Sequence, residues 1–197
     1  MGRFDEALRD FNQVIGNDGS DAIAYLDRGV TNEKLGHVEN AILDYSRSIE
    51  LAPSAAAYVN RGNAYASQRQ PVKALADFDA ALAIDPKNLP ALLGRANANY
   101  ARQMRAASLD DYTRVIAADP TNATAFFKRG NVHFDLREFA AAYSDYSDAL
   151  KLDPKQAVAL YNRALVAVRM GRLKDGAADR RRALSLDPSL GSAEDRQ

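Results

Sequence analysis

Tyr58 to Pro86 reads YVNRGNAYASQRQPVKALADFDAALAIDP, and Phe126 to Pro154 reads FFKRGNVHFDLREFAAAYSDYSDALKLDP. The two stretches share an Arg before a Gly, a small residue twelve positions on, an Asp and a ring after it, a second small residue, and a closing Asp-Pro. Working outward, the same features recur along the chain. Pro53, Pro86, Pro120, Pro154 and Pro188 lie 33, 34, 34 and 34 residues apart. Four of them follow an Asp (Asp85, Asp119, Asp153, Asp187), and the first follows Ala52. Each Pro lacks the N–H that would continue a helix, so it marks a stop.

Small residues fall at Gly29, Gly62, Ala96, Gly130 and Ala164, and twelve positions later at Ala41, Ala74, Ser108, Ala142 and Gly176. A third row is Ser48, Ala81, Val115, Ala149 and Ala183, with a ring before it at Tyr45, Phe78, Tyr112 and Tyr146. Small side chains let two helices approach, and the ring fills the space beside them. Apolar residues recur at helical spacing and do not alternate, so the unit is a pair of antiparallel helices, A then B. Tight turns between them are expected near Gly36, Arg69-Gln70-Pro71, Gln103-Met104, Arg137-Glu138 and Gly171, with Pro71 and Pro90 at early helical positions, where a missing N–H costs nothing. The predicted fold is all-α, helix pairs stacked one on the next as a solenoid.

These rows resemble the tetratricopeptide repeat family, including the NRGN segment of bacterial-type repeats at Asn60 to Asn63, and the resemblance implies that the solenoid is a right-handed superhelix. Full repeats are expected at 22–54, 55–88, 89–122, 123–156 and 157–190, after a half repeat, helix B only, at 2–21, and before a tail at 191–197. One feature departs from the family: its frequent aromatic three residues after the small one appears only at Tyr65, the others being Asn32, Asn99, His133 and Ala167.

An Arg precedes each small residue of helix A, and an Asp follows sixteen positions later. The pairs are Arg28 and Asp44, Arg61 and Asp77, Arg95 and Asp111, Arg129 and Asp145, and Arg163 and Asp179. A constant separation in every copy favours a structural ion pair between helices A and B over a recognition stripe. The resemblance implies that A helices line a concave groove. Groove positions carried over from the family are Val30, Asn63, Asn97, Asn131 and Leu165, then Asp27, Asn60, Gly94, Lys128 and Asn162. Leu26, Val59, Leu93, Phe127 and Tyr161 stand one residue further back, and Tyr100 and Phe134 a turn later. An Asn carboxamide both donates and accepts, so three on neighbouring repeats suit an extended peptide backbone whatever its side chains. Asparagine rows of this kind line the repeat domain of O-linked N-acetylglucosamine transferase. Rings at Tyr100, Phe127, Phe134 and Tyr161 suit apolar side chains. The two-basic clamp by which some relatives hold a C-terminal carboxylate is not met, since Val59 replaces its Lys and Lys128 stands nearly alone.

The chemistry that remains is narrow. With no Cys there is no disulfide, thiolate metal site or Cys nucleophile. No metal-binding HExxH, phosphate loop or GxSxG is present, and carboxylates recur with the repeat and do not converge on one cleft, so neither an enzyme nor a cofactor is expected. His37 falls in a turn and His133 at a packed position. Asn122-Ala123-Thr124 matches a glycosylation acceptor but reads better as a helix cap. With 26 basic and 26 acidic residues, the balance argues against nucleic acid, and no stretch is apolar enough for membrane insertion.

The expected partner is a protein or peptide. One alternative is that the chain is the substrate-selecting arm of a larger enzyme such as a glycosyltransferase; another is a self-assembly element working through the amino-terminal half repeat. Met1-Gly2-Arg3-Phe4 aligns with Met170-Gly171-Arg172-Leu173 at the turn between helices. On that alignment Met1 is an internal Met or the edge of a longer array, and the compartment stays open between cytoplasm and periplasm. Charge is graded: residues 1–54 carry 5 basic and 10 acidic side chains, residues 157–190 carry 7 and 3. Arg180, Arg181 and Arg182 replace the ring row in the last repeat and are expected to form a solvated cap.

Overall fold

The computed structural model describes residues 2–191, and among them all regular structure is helical. The chain divides into two compact units, Met1–Met104 and Arg105–Gln197. Unit 1 contains α1 (Gly2–Asn17), α2 (Ala22–Lys34), α3 (Val38–Leu51), α4 (Ala55–Ser67), α5 (Pro71–Ile84) and α6 (Leu89–Ala101). Unit 2 contains α7 (Arg105–Ala118), α8 (Ala123–Asp135), α9 (Phe139–Leu152), α10 (Ala157–Arg169) and α11 (Leu173–Leu186), closed by a 3-10 turn, Pro188–Leu190. The hairpins are α2/α3 and α4/α5 in unit 1, and α8/α9 and α10/α11 in unit 2.

The punctuation between helices follows from local chemistry. The Asp of each Asp-Pro pair bends the chain, its Oδ1 accepting from the backbone N–H two residues on: Lys87, Thr121 and Lys155 at 3.1 Å and Ser189 at 2.9 Å. Bonds from Thr121 and Ser189 hold the Asp119 and Asp187 carboxyls below the ordinary carboxylate pKa. The next helix then starts on a short polar cap. Asp21 accepts from the N–H of Ile23 and Ala24, Ser54 from Ala57, Asn88 from Ala91 and Asn122 from Ala125, at 2.9 to 3.2 Å. The turn that follows each helix A passes through the left-handed region once, at Gly36 (φ 81°), Arg69 (57°), Gln103 (62°), Arg137 (61°) and Gly171 (75°). Only glycine occupies that region without steric cost, so three of the five turns hold a side chain there against its preference.

Helix α10 breaks the capping pattern. Its N-cap is Gln156, whose side chain makes no cap bond and whose Oε1 is buried with no hydrogen-bond partner among the described residues. Gln156→Asn shortens the side chain to the reach of Asn88 and Asn122 and supplies a cap to the Ala159 N–H. The expected gain is about 1 kcal/mol of unfolding free energy, read as a shift in urea midpoint; an unchanged or lower midpoint would show that the caps do not explain where the helices start.

The core is built from rings seated against glycines. A Cβ at Gly29 would come within 2.6 Å of the Tyr45 ring, one at Gly62 within 2.8 Å of Phe78, and one at Gly130 within 2.8 Å of Tyr146. All three rings are fully buried. Each succeeding helix A then seats two small residues seven apart on the hairpin before it. Helix α4 buries Ala57 and Ala64, α6 buries Ala91 and Ala98, and α10 buries Ala159 and Val166. Ala64 packs with Ala41 and Tyr45, Ala98 with Ala74 and Phe78, and Val166 with Ala142 and Tyr146.

Candidate binding face and the arginine rows

The Arg and Asp rows meet in both units. Arg28 Nη2 donates to Asp44 Oδ1 at 2.6 Å, Arg61 Nη2 to Asp77 at 2.7 Å, Arg129 Nη2 to Asp145 at 2.7 Å and Arg163 Nη2 to Asp179 at 2.8 Å, each backed by a second bond from Nε. Arg95 lies in unit 1 and Asp111 in unit 2. Hydrogen bonding to the carboxylates raises the guanidinium pKa of Arg28, Arg61, Arg129 and Arg163 above its ordinary value, against the opposing effect of burial.

The same arginines also have a second arm. Nη1 reaches back to the preceding helix B: Arg28 to Asn12 (2.8 Å), Arg61 to Ser46 (3.0 Å), Arg95 to Asp79 (2.7 Å), Arg129 to Thr113 (3.2 Å) and Arg163 to Ser147 (3.1 Å). At Arg28, Arg61, Arg129 and Arg163 one guanidinium therefore closes its own hairpin and ties it to the preceding helix B, with all three of its nitrogens donating. These acceptors escaped the sequence reading because they are five positions of four residue types. A short polar residue fifteen or sixteen places before each Arg is the signal that would have found them.

The candidate groove residues divide between the units. In unit 1, Asn63 on α4 is exposed and its carboxamide makes no hydrogen bond to the described residues; Asn60 stands half-buried one turn before it. Asn97 and Tyr100 lie on α6, the first exposed and the second half-buried. In unit 2, Asn131 Oδ1 accepts from the Tyr146 hydroxyl at 2.8 Å and from Asn162 Nδ2 at 3.0 Å. Neither bond uses the Asn131 amide nitrogen or the Asn162 carbonyl oxygen, so the pair keeps donors and an acceptor side by side. Beside them Phe134, Asn162 and Leu165 line a small cavity of about 50 Å³. Lys128 is half-buried and forms no ion pair with the described residues.

The remaining aromatics are placed otherwise. Phe127 packs 5.9 Å from the Tyr146 ring and against the clusters that hold Leu160 and Val166 of α10, so it joins hairpins together. Tyr161, one repeat on, lines a cleft between α10 and α11. Gly94 holds space for Phe78, since a Cβ there would lie 2.4 Å from the ring. The difference between Asn63 and Asn131 also has a cause in sequence. The ring fifteen residues after Asn131 is Tyr146, whose hydroxyl claims the carbonyl, whereas the ring after Asn63 is Phe78, which has none.

His133 sits with Nδ1 2.6 Å from Glu138 and Nε2 3.8 Å from Asp145. In the first hairpin Asn32 takes that place and donates to Asp44 at 2.9 Å. The residue is part of the hairpin's polar seam. Among the described residues no group of three or more His, Cys, Asp or Glu is placed to hold a metal, and no helix is long and apolar enough to cross a membrane.

Comparison with known proteins places this architecture. Tetratricopeptide repeat models match residues 55–88 and, in a second form, residues 1–56, 93–157 and 127–190. The chain is 38% identical over 89 residues to tetratricopeptide repeat protein 6 of Homo sapiens, covering 45% of this chain and 17% of that protein. It is 29% identical over 93 residues to the Hsp70-Hsp90 organizing protein of Triticum aestivum, covering 47% of this chain and 16% of that one. The match thus spans under a fifth of either relative. Among solved structures, YrrB, described as a TPR protein with an unusual peptide-binding site, superposes with a TM-score of 0.78 at 20% identity over 95% of this chain and 98% of its own. A MamA structure from Desulfovibrio magneticus RS-1 superposes with a TM-score of 0.79 at 19% identity over 87% and 97%. The helix pairs, the 34-residue period and the matched models together make this chain a member of the tetratricopeptide repeat family.

Proposed function

We propose that this chain is a protein-interaction scaffold that holds an extended peptide against the first helices of its repeats. The observation that carries the reading is the Asn131–Asn162 pair. Two carboxamides from neighbouring A helices are locked together at 3.0 Å, which orients an unused amide N–H and an unused carbonyl toward a ligand at little further entropic cost. Phe134 and Leu165 supply the wall of a cavity sized for a small apolar side chain. Asn63, exposed on α4, repeats the same chemistry in unit 1. YrrB, with the same fold, is described as having a peptide-binding site, which makes a peptide the natural ligand class to test.

The test is selection of a phage-displayed random dodecapeptide library against the intact protein, followed by calorimetry with the enriched synthetic peptides. Replacing Asn63, Asn97 and Asn131 together by Ala is expected to weaken binding by at least about tenfold, the effect of one or two lost hydrogen bonds. Equal affinity for wild type and triple variant would remove the asparagines from the site, and failure to enrich any peptide would remove the peptide.

A specific observation favours a second reading, self-association through α1. This helix buries none of its residues fully, and Phe4 and Val14 remain 43% and 41% exposed. An amphipathic helix left this open is an apolar surface that a second copy would cover.

A further inference from the structure

The amino-terminal helix is one apolar surface that the described residues leave open; the last hairpin holds a second. Helices α10 and α11 bound a cleft of about 770 Å³. Its walls include Leu165, Val168 and Leu173, which are 43%, 51% and 63% exposed, over the small residues Ala164 and Gly176. The equivalent seat in the first hairpin is filled: Val30, the counterpart of Leu165, packs with Tyr45 and with Ala64 of α4. In the last hairpin Arg180 stands where the earlier repeats carry a ring, and Arg169, Arg180 and Arg181 all line the cleft.

We propose that this cleft receives helix α1 of a second copy of the chain, a proposal that rests on the self-association reading above and supplies its acceptor. Three features of α1 match the seat. Helices already seated on a hairpin present small residues seven apart, as in Ala57 and Ala64 or Ala159 and Val166; α1 carries Ala7 and Val14 at that spacing. Glu6 and Asp10, one helical turn apart, flank that edge and face the sign of charge that Arg169 and Arg181 present. The wider surroundings agree, with 10 acidic and 5 basic side chains in residues 1–54 against 3 and 7 in residues 157–190. The contact is heterologous: each copy carries one donor helix and one acceptor cleft, so a copy bound through one of them still offers the other.

Sedimentation velocity of the whole protein across a concentration series tests this. Wild type is expected to gain mass with concentration at low salt and to lose the gain as the Debye length falls from about 10 Å at 0.1 M to about 3 Å at 1 M salt. Val14→Lys disables the donor and Val168→Lys the acceptor; both positions are exposed, and circular dichroism with thermal melting verifies that each variant folds. Each alone is expected to stay at the mass of one copy, and their equimolar mixture to stop at two. If Val168→Lys associates like wild type while Val14→Lys does not, α1 still mediates self-association and the cleft is not its seat. If wild type keeps the mass of one copy throughout at low salt, both the cleft proposal and the self-association reading fall.

Discussion

Asp145→Ala is expected to lower the unfolding free energy by about 3 kcal/mol, because it strands a guanidinium rather than merely removing a contact. The Asp145 side chain is 5% exposed and that of Arg129 20%, so water does not take over the two bonds that Nε and Nη2 lose. His133 Nε2, 3.8 Å from the same carboxylate, loses its neighbour as well. Were the pair an ordinary surface salt bridge, the cost would be about 0–1 kcal/mol. Urea unfolding followed by circular dichroism separates the two, and a loss under about 1 kcal/mol would overturn the assignment of these rows as buried ties. Replacing both partners by apolar residues, Arg129→Met with Asp145→Leu, is expected to cost less than Asp145→Ala alone, since nothing charged is then left buried.

Gly94→Ala is the second substitution with a large expected effect, and its sign is the point. Glycine inside a helix is worth about 1 kcal/mol less than alanine, so helix propensity alone forecasts a gain. The new Cβ, however, would lie 2.4 Å from two atoms of the Phe78 ring, and that ring is fully buried against Gly62. Overpacking costs about 1–3 kcal/mol, and at the upper end, which a contact this short against a buried ring calls for, the expected net result is a loss of about 2 kcal/mol. Phe78→Leu in the same chain removes the obstructing ring atoms and is expected to make the second substitution nearly neutral, a coupling that a double-mutant cycle reads directly. Gly16→Ala is the control, for nothing lies within 4 Å of its added Cβ. A stabilised Gly94→Ala would show that the ring has room to move.

Much of the fold was legible because the pattern is in phase five times over. A proline, a small residue or a ring at one position says little; the same feature every 34 residues locates each hairpin. What escaped the reading was contact between repeats. The rows are aligned along sequence, while a side chain such as Phe78 reaches into the following repeat, so Gly94 sat in a row of polar residues and looked like part of a binding face. Phe127 was read as a ligand-facing ring for the same reason, although the helix after it supplies the neighbours it packs on. The carboxamide row was also read as uniform, when the hydroxyl of Tyr146 separates Asn131 from Asn63. Such differences arise from pairs of residues in adjacent units, and a residue-by-residue alignment of one repeat on another does not display them.

The two-armed arginine bears on how an array of this kind can change in length. Each guanidinium needs an acceptor about sixteen residues behind it and another sixteen ahead. Duplicating or excising a whole period leaves both distances intact at the junction, so the enlarged or shortened gene product still finds every clasp closed. One residue of slack is tolerated, since Arg28 and Arg61 stand 33 residues apart and Arg61 still meets Ser46 fifteen places back, but an insertion of half a period puts an acceptor on the wrong turn of helix. Growth in steps of about one repeat therefore keeps the clasps in register, and unequal recombination would hand down arrays that differ by integers.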